Sequence, residues 1–189
     1  EHIYRTLVAY NFPHSLPQTK ENLRLDSLLQ ERLEFFAPFL AQKSLTLHSD
    51  LAPTHLYANK EKIITLFDNL LSNAIKYNKH NGEIHIILRE GYCAIRDSGS
   101  GIDSKHRAMI FERFARFDKS VGGFGIGLSL VREICREYGI RIRVQSAQEA
   151  RNQSGADKEN IKADNADRGG SAFVLTWDLE AGGARADSH

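Results

Sequence analysis

Two carboxamides and an ammonium group share one face of a predicted helix. At about 100° per residue, Asn69, Asn73 and Lys76 fall within an arc of roughly 60°. A carboxamide oxygen can ligate Mg²⁺, and a lysine supplies the charge that a phosphate needs. An amphipathic helix with a solvated polar face would explain the same pattern. The apolar side chains that cover the opposite face are Phe67, Leu70, Leu71, Ala74 and Ile75.

An aspartate followed by glycines comes directly after a candidate strand. The segment from Asp97 to Asp103, Asp-Ser-Gly-Ser-Gly-Ile-Asp, follows the apolar run Tyr92 to Ile95. A carboxylate at a strand end can accept a hydrogen bond from an exocyclic amine, and glycines let the backbone approach a flat base. The alternative interpretation of this segment is an ordinary glycine-rich turn.

A second glycine cluster, Gly122 to Leu128, leads into a helical pattern that includes Val131 and Ile134. Glycines that open a helix expose backbone N–H groups at its positive end, where phosphates bind. The cluster is not a P-loop, because no Lys-Ser or Lys-Thr pair follows it.

The order and spacing of these motifs resemble the ATP-binding catalytic domain of sensor histidine kinases, within the superfamily shared with gyrase and the MutL mismatch-repair ATPases. The resemblance runs from about Leu25 to Leu179. The elements that carry it are similar to an asparagine box (Asn69 to Tyr77), a first glycine box (Asp97 to Gly101), a phenylalanine box (Phe111-Glu112-Arg113-Phe114), a second glycine box (Gly123 to Gly127) and a closing-strand element (Gly170-Ser171-Ala172-Phe173).

This resemblance implies ATP and Mg²⁺ as cofactors. By it, Asn73 ligates Mg²⁺ with help from Asn69, Lys76 and Arg113 contact phosphates, and Asp97 recognises adenine. The residues expected to act in catalysis are Asn69, Lys76 and Arg113. The residues expected to bind nucleotide are Asn69, Asn73, Lys76, Tyr77, Asp97, Gly99, Gly101, Ile102, Phe114, Gly123, Gly125, Ile126, Gly127, Leu128 and Ser171.

The predicted chemistry is phosphorylation of a histidine with poor intrinsic ATP hydrolysis. In related ATPases a carboxylate at the position that matches Asn69 activates water, and an amide cannot act as that base. An incoming imidazole is already a nucleophile, so transfer needs mainly alignment and neutralisation of charge.

The resemblance implies partners outside this segment. His2-Ile3-Tyr4-Arg5-Thr6 is only superficially similar to the family's acceptor pattern, His-Glu-x-x-Thr, because the Glu of that pattern is absent here. The family also places the rest of a helical hairpin between the acceptor and the catalytic domain, and only about twenty residues separate His2 from Leu25. We therefore expect the acceptor on dimerisation helices of the same protein, with a response regulator downstream. The expected location is a cytoplasmic domain whose parent protein is anchored in the inner membrane, without direct membrane contact by this segment.

Two other functions stay open. A serine-directed kinase or anti-sigma regulator of the same superfamily would lack the helical hairpin before the domain. A non-enzymatic module that has lost nucleotide affinity is suggested by Phe124, where the family commonly has Thr or Ser, and by the short lid, with only Asp118 to Val121 between Phe117 and the glycines.

Composition fits one domain of 189 residues with 41% apolar residues. A net charge of +1 argues against a general nucleic-acid or membrane-surface role. No apolar run approaches the roughly 18 residues of a membrane helix. Cys93 and Cys135 lie in apolar patterns, which favours two buried thiols, and the eight histidines show no metal-ligand spacing.

The elements predict an α/β sandwich: a mixed, mostly antiparallel sheet with one face covered by about three helices, and a mobile ATP lid between Ile102 and Gly122. We expect a helix with a capping box at Ser27 and a bend or an early end at Pro38, and a second helix capped by Asn59. The predicted divisions are residues 1–24, the end of a helical hairpin and a linker; residues 25–180, the ATP-binding domain, with a disordered insertion at 148–168; and residues 181–189, a flexible tail.

Overall fold

The computed structural model describes residues 19–115, 125–146 and 169–178. Three helices and seven strands occupy these ranges. In chain order they are β1 (Glu21–Arg24), α1 (Leu25–Gln42), β2 (Thr46–Leu51), β3 (His55–Ala58), α2 (Lys60–Lys76), β4 (Glu83–Arg89), β5 (Tyr92–Asp97), α3 (Gly127–Glu137), β6 (Arg141–Ser146) and β7 (Ser171–Thr176).

Five of the strands form one mixed sheet in the order β2-β4-β5-β7-β6. Only the β2–β4 pair is parallel, and the other three pairs are antiparallel. Alternation in β4 buries Ile84, Ile86 and Leu88 in the core that the helices share, as the period of two predicts. The predicted fold class, a mixed and mostly antiparallel sheet with about three helices, is confirmed.

The asparagine-bearing helix α2 begins where the sequence predicts. The side chain of Asn59 accepts a 3.0 Å hydrogen bond from the backbone N–H of Lys62, which satisfies one free donor of the first turn. The helix ends at Lys76, with Tyr77 as its C-cap. All five apolar residues predicted to face the sheet are buried, so the helix holds its polar face at a fixed angle to the strands.

Helix α1 differs from its prediction at the N-terminus. Its buried apolar face consists of Leu29, Leu33, Phe36 and Leu40. The predicted capping box at Ser27 is wrong, since the helix begins at Leu25 after Arg24, which gives no side-chain cap. The backbone N–H of Leu25 donates to the carbonyl of Thr54 instead. Pro38 lies inside the helix without ending it, and the helix continues to Gln42.

The residues just before α1 belong to the fold rather than to a linker. Residues 21 and 22 were expected in the linker, yet β1 pairs antiparallel with β3 as a two-stranded sheet. β1 has four residues and one buried side chain, Leu23, so its sequence shows no alternating apolar pattern that would predict a strand. The N-terminal segment 1–18, residues 116–124 of the lid, the insertion 148–168 and the tail 181–189 lie outside the described residues.

Both cysteines are buried, as predicted. Burial raises the pKa of each thiol to about 12, so both stay protonated and unreactive at neutral pH. Among the helices of the described residues, none has the length and apolar character that a membrane crossing requires.

Candidate functional site

A cavity of about 250 Å³ opens between the end of α2, the end of β5, the start of α3 and β7. Both the predicted base-recognition residue, Asp97, and the predicted metal ligand, Asn73, line it. The site residues predicted from sequence that line this cavity are Asn73, Tyr77, Asp97, Gly101, Ile102, Leu128 and Ser171. This cavity therefore brings together residues from motifs that are about a hundred positions apart in the sequence.

Asp97 is a buried hydrogen-bond acceptor in this cavity. Its Oδ2 accepts a 2.6 Å hydrogen bond from the hydroxyl of Ser171, and its Oδ1 accepts a 2.8 Å bond from the N–H of Gly99. Burial raises the pKa of the Asp97 carboxyl, and these two hydrogen bonds lower it again in part. Each carboxylate oxygen has a second lone pair, so Asp97 can still accept a hydrogen bond from a ligand.

Glycines permit the close approach of three chain segments around Asp97. A Cβ at Gly99 would collide with the carbonyl oxygen of Tyr77, and one at Gly170 would collide with the carbonyl oxygen of Asp97. Gly101 has φ +75°, and a Cβ there would lie 3.2 Å from the carbonyl oxygen of Gly170. The first glycine cluster is therefore needed for the packing of the cavity floor, whatever the cavity binds.

The two asparagines of α2 have different positions. Asn73 faces the cavity, whereas Asn69 is not among its lining residues and is 5% exposed. The Asn69 Nδ2 donates a 2.7 Å hydrogen bond to the carbonyl of Thr65. Its Oδ1 lies so close to Gly127 that a Cβ there would collide with it. Asn69 thus joins α2 to the start of α3, behind the cavity wall.

The predicted phosphate-contacting cations lie outside the cavity lining. The ammonium of Lys76 lies 4.8 Å from the centre of the Tyr77 ring. Arg113 forms a 2.8 Å ion pair with Glu133, and the side chains are 59% and 50% exposed. Arg113 can therefore exchange Glu133 for another partner at little energetic cost, because exposed ion pairs contribute roughly 0–1 kcal/mol.

The remaining predicted residues that the structure describes lie near the start of α3. Phe114 is 65% exposed and has φ +62°, and its N–H donates to the carbonyl of Gly125 at 2.9 Å. Ile126 is buried and precedes Gly127, the first residue of α3. Gly123 lies outside the described residues. The backbone bond from Phe114 to Gly125 fixes one end of the predicted lid against the helix start.

Sequence analysis missed several lining residues, which are Ser100, Asp103, His106, Ile110, Ala115 and Phe173. Phe173 was predicted only as part of the closing strand and Ile110 not at all, and both are buried. Asp103 and His106 come from the turns after Ile102. The spacing of three residues between them was the only sequence signal that they share one side of this segment.

The cavity suits a flat heterocycle that carries an amine. Apolar side chains such as Ile102, Ile110, Leu128 and Phe173 supply its walls, and Asp97 supplies an acceptor at one end. Its volume lies near the lower limit of the roughly 300–1,000 Å³ that is usual for small-molecule pockets. A cavity of this volume matches a base with its sugar better than a complete nucleoside triphosphate.

Comparison with known proteins agrees with this chemistry. Residues 58–181 match the model of the family described as histidine kinase-, DNA gyrase B- and HSP90-like ATPases. The sensor histidine kinase YkoH of Bacillus subtilis is 37% identical over 111 residues, which are 56% of this chain and 24% of that protein. The adaptive-response sensory kinase SasA of Microcystis aeruginosa is 38% identical over 132 residues, or 65% of this chain and 34% of that protein. The chain thus spans about a quarter to a third of the length of these relatives.

Solved structures show the same fold. The catalytic domain of the histidine kinase ThkA superposes with a TM-score of 0.65 at 22% identity, and the match covers 86% of this chain and 99% of that domain. Full-length ShkA in complex with AMPPNP gives a TM-score of 0.64 at 19% identity, over 92% of this chain and 33% of that protein.

Proposed function

The chain belongs to the histidine kinase-, DNA gyrase B- and HSP90-like ATPase family, and from this membership we propose that it is the ATP-binding catalytic domain of a sensor histidine kinase. The proposed reaction transfers the γ-phosphoryl group of ATP to a histidine on a separate helical acceptor domain. The observation that carries the proposal is the position of Asp97 and Asn73 in one cavity, at its floor and on its α2 wall.

Asp97 is the proposed adenine-recognition residue. A carboxylate accepts hydrogen bonds only, so it favours a base that presents an amine and disfavours one that presents a carbonyl at the same position. The hydrogen bonds from Ser171 and Gly99 hold both carboxylate oxygens in place. A base bound between the apolar walls would therefore meet an acceptor that needs no reorientation.

Asn73 is the proposed magnesium ligand. Its carboxamide oxygen is the kind of hard donor that Mg²⁺ prefers, and Mg²⁺ usually keeps several waters and phosphate oxygens as its other ligands. When bound, Mg²⁺ would neutralise part of the charge that develops on the triphosphate. We propose that Lys76 and Arg113 add positive charge there, after Arg113 exchanges its exposed partner Glu133 for a phosphate oxygen.

We propose that Asn69 keeps the hydrolysis of ATP slow relative to phosphoryl transfer to histidine. An amide cannot take a proton from water, and the Asn69 side chain is held by its hydrogen bond to Thr65. Alignment of an incoming imidazole is then the main requirement. The acceptor helices, a downstream response regulator and a cytoplasmic location beneath a membrane-anchored sensor are parts of the same proposal.

Nucleotide binding is tested by calorimetry with Mg-ATP on the wild-type chain and on Asp97→Asn. We expect micromolar to millimolar binding by the wild type and a loss of about tenfold or more in the variant, since an amide donor would face the amine of the base. Asp178→Asn is the matched control, because that carboxylate is exposed after β7 and outside the cavity. No wild-type binding at millimolar nucleotide would favour the non-enzymatic module.

Histidine transfer is tested by incubating the chain with labelled ATP and a separately produced acceptor-helix domain. The expected product is labelled acceptor whose phosphoryl group is lost in acid and retained in base. An acid-stable product would contradict the proposal and favour the serine-directed alternative. Labelling that persists after the acceptor histidine is replaced would contradict it as well.

A further inference from the structure

Three potential metal ligands meet on the sheet face that points away from the helices. In the parallel β2–β4 pair, His48 lies directly beside His85, and Glu83 precedes His85 by two residues on the same strand. Side chains alternate along a strand, so Glu83 and His85 share the face opposite to buried Ile84 and Ile86. The three side chains therefore project together from the edge of the five-stranded sheet.

The side-chain geometry is already close to that of a binding site. The imidazole rings of His48 and His85 are stacked with centroids 4.4 Å apart and an interplanar angle of 18°. The Nε2 of His85 lies 3.1 Å from Oε2 of Glu83. One ligand atom from each of the three residues lies within 4.8 Å of the other two.

We propose that His48, Glu83 and His85 form a binding site for a divalent transition-metal ion of the zinc class. Two imidazole nitrogens and one carboxylate oxygen are ligands that Zn²⁺ accepts, with water in the fourth position. Zinc–ligand bonds of about 2.0–2.2 Å fit the 3.1 Å separation of the His85 and Glu83 atoms, whereas separations near the 4.8 Å limit of the cluster must shorten. His48 is exposed, so its ring can tilt towards the other two at small cost.

The charges around the cluster favour zinc over Mg²⁺ or Ca²⁺. Arg96 lies opposite His85 in the β4–β5 pair and on the same face, and its positive charge weakens the attraction for a cation. The carboxylate of Glu83, itself one of the three ligands, offsets this charge. A purely electrostatic site for Mg²⁺ or Ca²⁺ would need more carboxylates, whereas nitrogen ligation of zinc depends less on net charge.

The site would hold the edge strand β2 to the sheet. β2 has one hydrogen-bonded neighbour in this sheet, β4, and the cluster spans that pair. A metal that binds only the folded arrangement stabilises it by a free energy that grows with the logarithm of the metal concentration above the dissociation constant. The site lies on the opposite face of the sheet from the helices and shares no residue with the nucleotide cavity.

Calorimetric titration of zinc chloride into the metal-free full chain, without nucleotide, tests this proposal. The wild type is expected to bind one zinc ion and to unfold at a higher temperature in its presence. His48→Ala and Glu83→Gln should each weaken binding by about tenfold or more and lose the thermal shift. His80→Ala is the matched control, since this exposed histidine lies outside the cluster and should leave zinc affinity unchanged.

Glu83→Gln keeps the shape of the side chain, so it tests ligation even if His48→Ala perturbs β2. Absence of zinc binding by the wild type at 100 micromolar metal would overturn the proposal. Equal zinc affinity in the wild type and both cluster variants would also overturn it, because the bound ion would then belong to other histidines of the chain. Neither result bears on ATP binding.

Discussion

The hydroxyl of Ser171 donates a 2.6 Å hydrogen bond to Oδ2 of Asp97 and so joins the first residue of β7 to the last residue of β5. Both side chains are buried and both line the cavity. The residue proposed to recognise the base is thus held by a strand that enters the sheet some seventy positions later in the chain.

Replacement of Ser171 by alanine should weaken ATP binding by about tenfold. The substitution removes a hydrogen bond to a charged group, which is typically worth about 1.5–3 kcal/mol, and it leaves the Asp97 carboxylate less fixed. Calorimetry with Mg-ATP measures the effect, and Ser27→Ala on the exposed surface of α1 is the control. Unchanged affinity in Ser171→Ala would show that this bond does not position the carboxylate.

The stability of Asp97→Asn relative to the wild type should rise with pH in the nucleotide-free chain, although the substitution impairs nucleotide binding. Burial raises the pKa of Asp97 in the folded state, so the folded chain holds this proton more tightly than the unfolded chain does. Ionisation of the carboxyl therefore costs stability as the pH rises through the raised pKa. Below the ordinary value of 3.8, both states are protonated and the cost disappears.

Urea unfolding of the wild type and Asp97→Asn, from below the ordinary pKa of 3.8 up to neutral pH, measures this difference. We expect the difference in unfolding free energy in favour of asparagine to grow as the pH rises. A difference that stays constant, or that shrinks towards neutral pH, would contradict the inferred cost of the buried charge.

Lys43→Met should destabilise the C-terminal end of α2 and weaken ATP binding. The Lys43 ammonium donates to the carbonyls of Ile75, Lys76 and Asn78 at 3.0, 2.8 and 3.0 Å, which satisfies acceptors that a helix end leaves free. Loss of these bonds should cost about 2 kcal/mol. Tyr77, a cavity wall residue, lies within this capped segment, so its position should loosen too.

Urea denaturation and calorimetry measure the two effects of Lys43→Met. Lys79→Met is the control, since this lysine is exposed just after the same helix. Equal stability losses in the two variants would indicate that only a general change of surface charge is involved.

The ion pair between Arg32 and Asp68 should be far more important for stability than the exposed pair between Arg113 and Glu133. Arg32 donates to both Asp68 oxygens, at 2.7 and 3.1 Å, and connects α1 to α2 in a buried environment. Asp68→Asn leaves a buried guanidinium without its countercharge, at a cost of about 3–5 kcal/mol. Glu133→Gln should cost less than about 1 kcal/mol. Chemical denaturation measures the loss of unfolding free energy in each variant. Similar losses in Asp68→Asn and Glu133→Gln would contradict this ranking of the two ion pairs.

Local patterns predicted most of the fold because their causes are local. The capping of α2 by Asn59 depends on residues three positions apart, and the alternation of Ile84, Ile86 and Leu88 depends on strand geometry alone. The capping box at Ser27 was wrong because a tertiary hydrogen bond, from Leu25 to Thr54, starts α1 earlier. A hydrogen bond to a residue distant in sequence therefore decides where α1 begins, in place of the local capping box.

The candidate site was predictable in its motifs but not in the orientation of each side chain. Helical periodicity places Asn69 and Asn73 on one face, yet the Asn69 amide lies against Gly127, where the missing Cβ leaves room for it, and does not line the cavity. The histidine cluster escaped sequence analysis for a similar reason. His48 and His85 become neighbours only through the parallel register of β2 with β4, which no spacing along the chain encodes.

The strand register described for the sheet has a consequence for ligand selectivity. Asp97 lies opposite Ile84 in the β4–β5 pair. A slip of a single residue in β5 would turn its carboxylate to the other side of the sheet and present Arg96 in its place. The proposed discrimination between purines therefore depends on correct strand pairing, and a sheet with a shifted β5 register would lack this selectivity even with its overall fold retained.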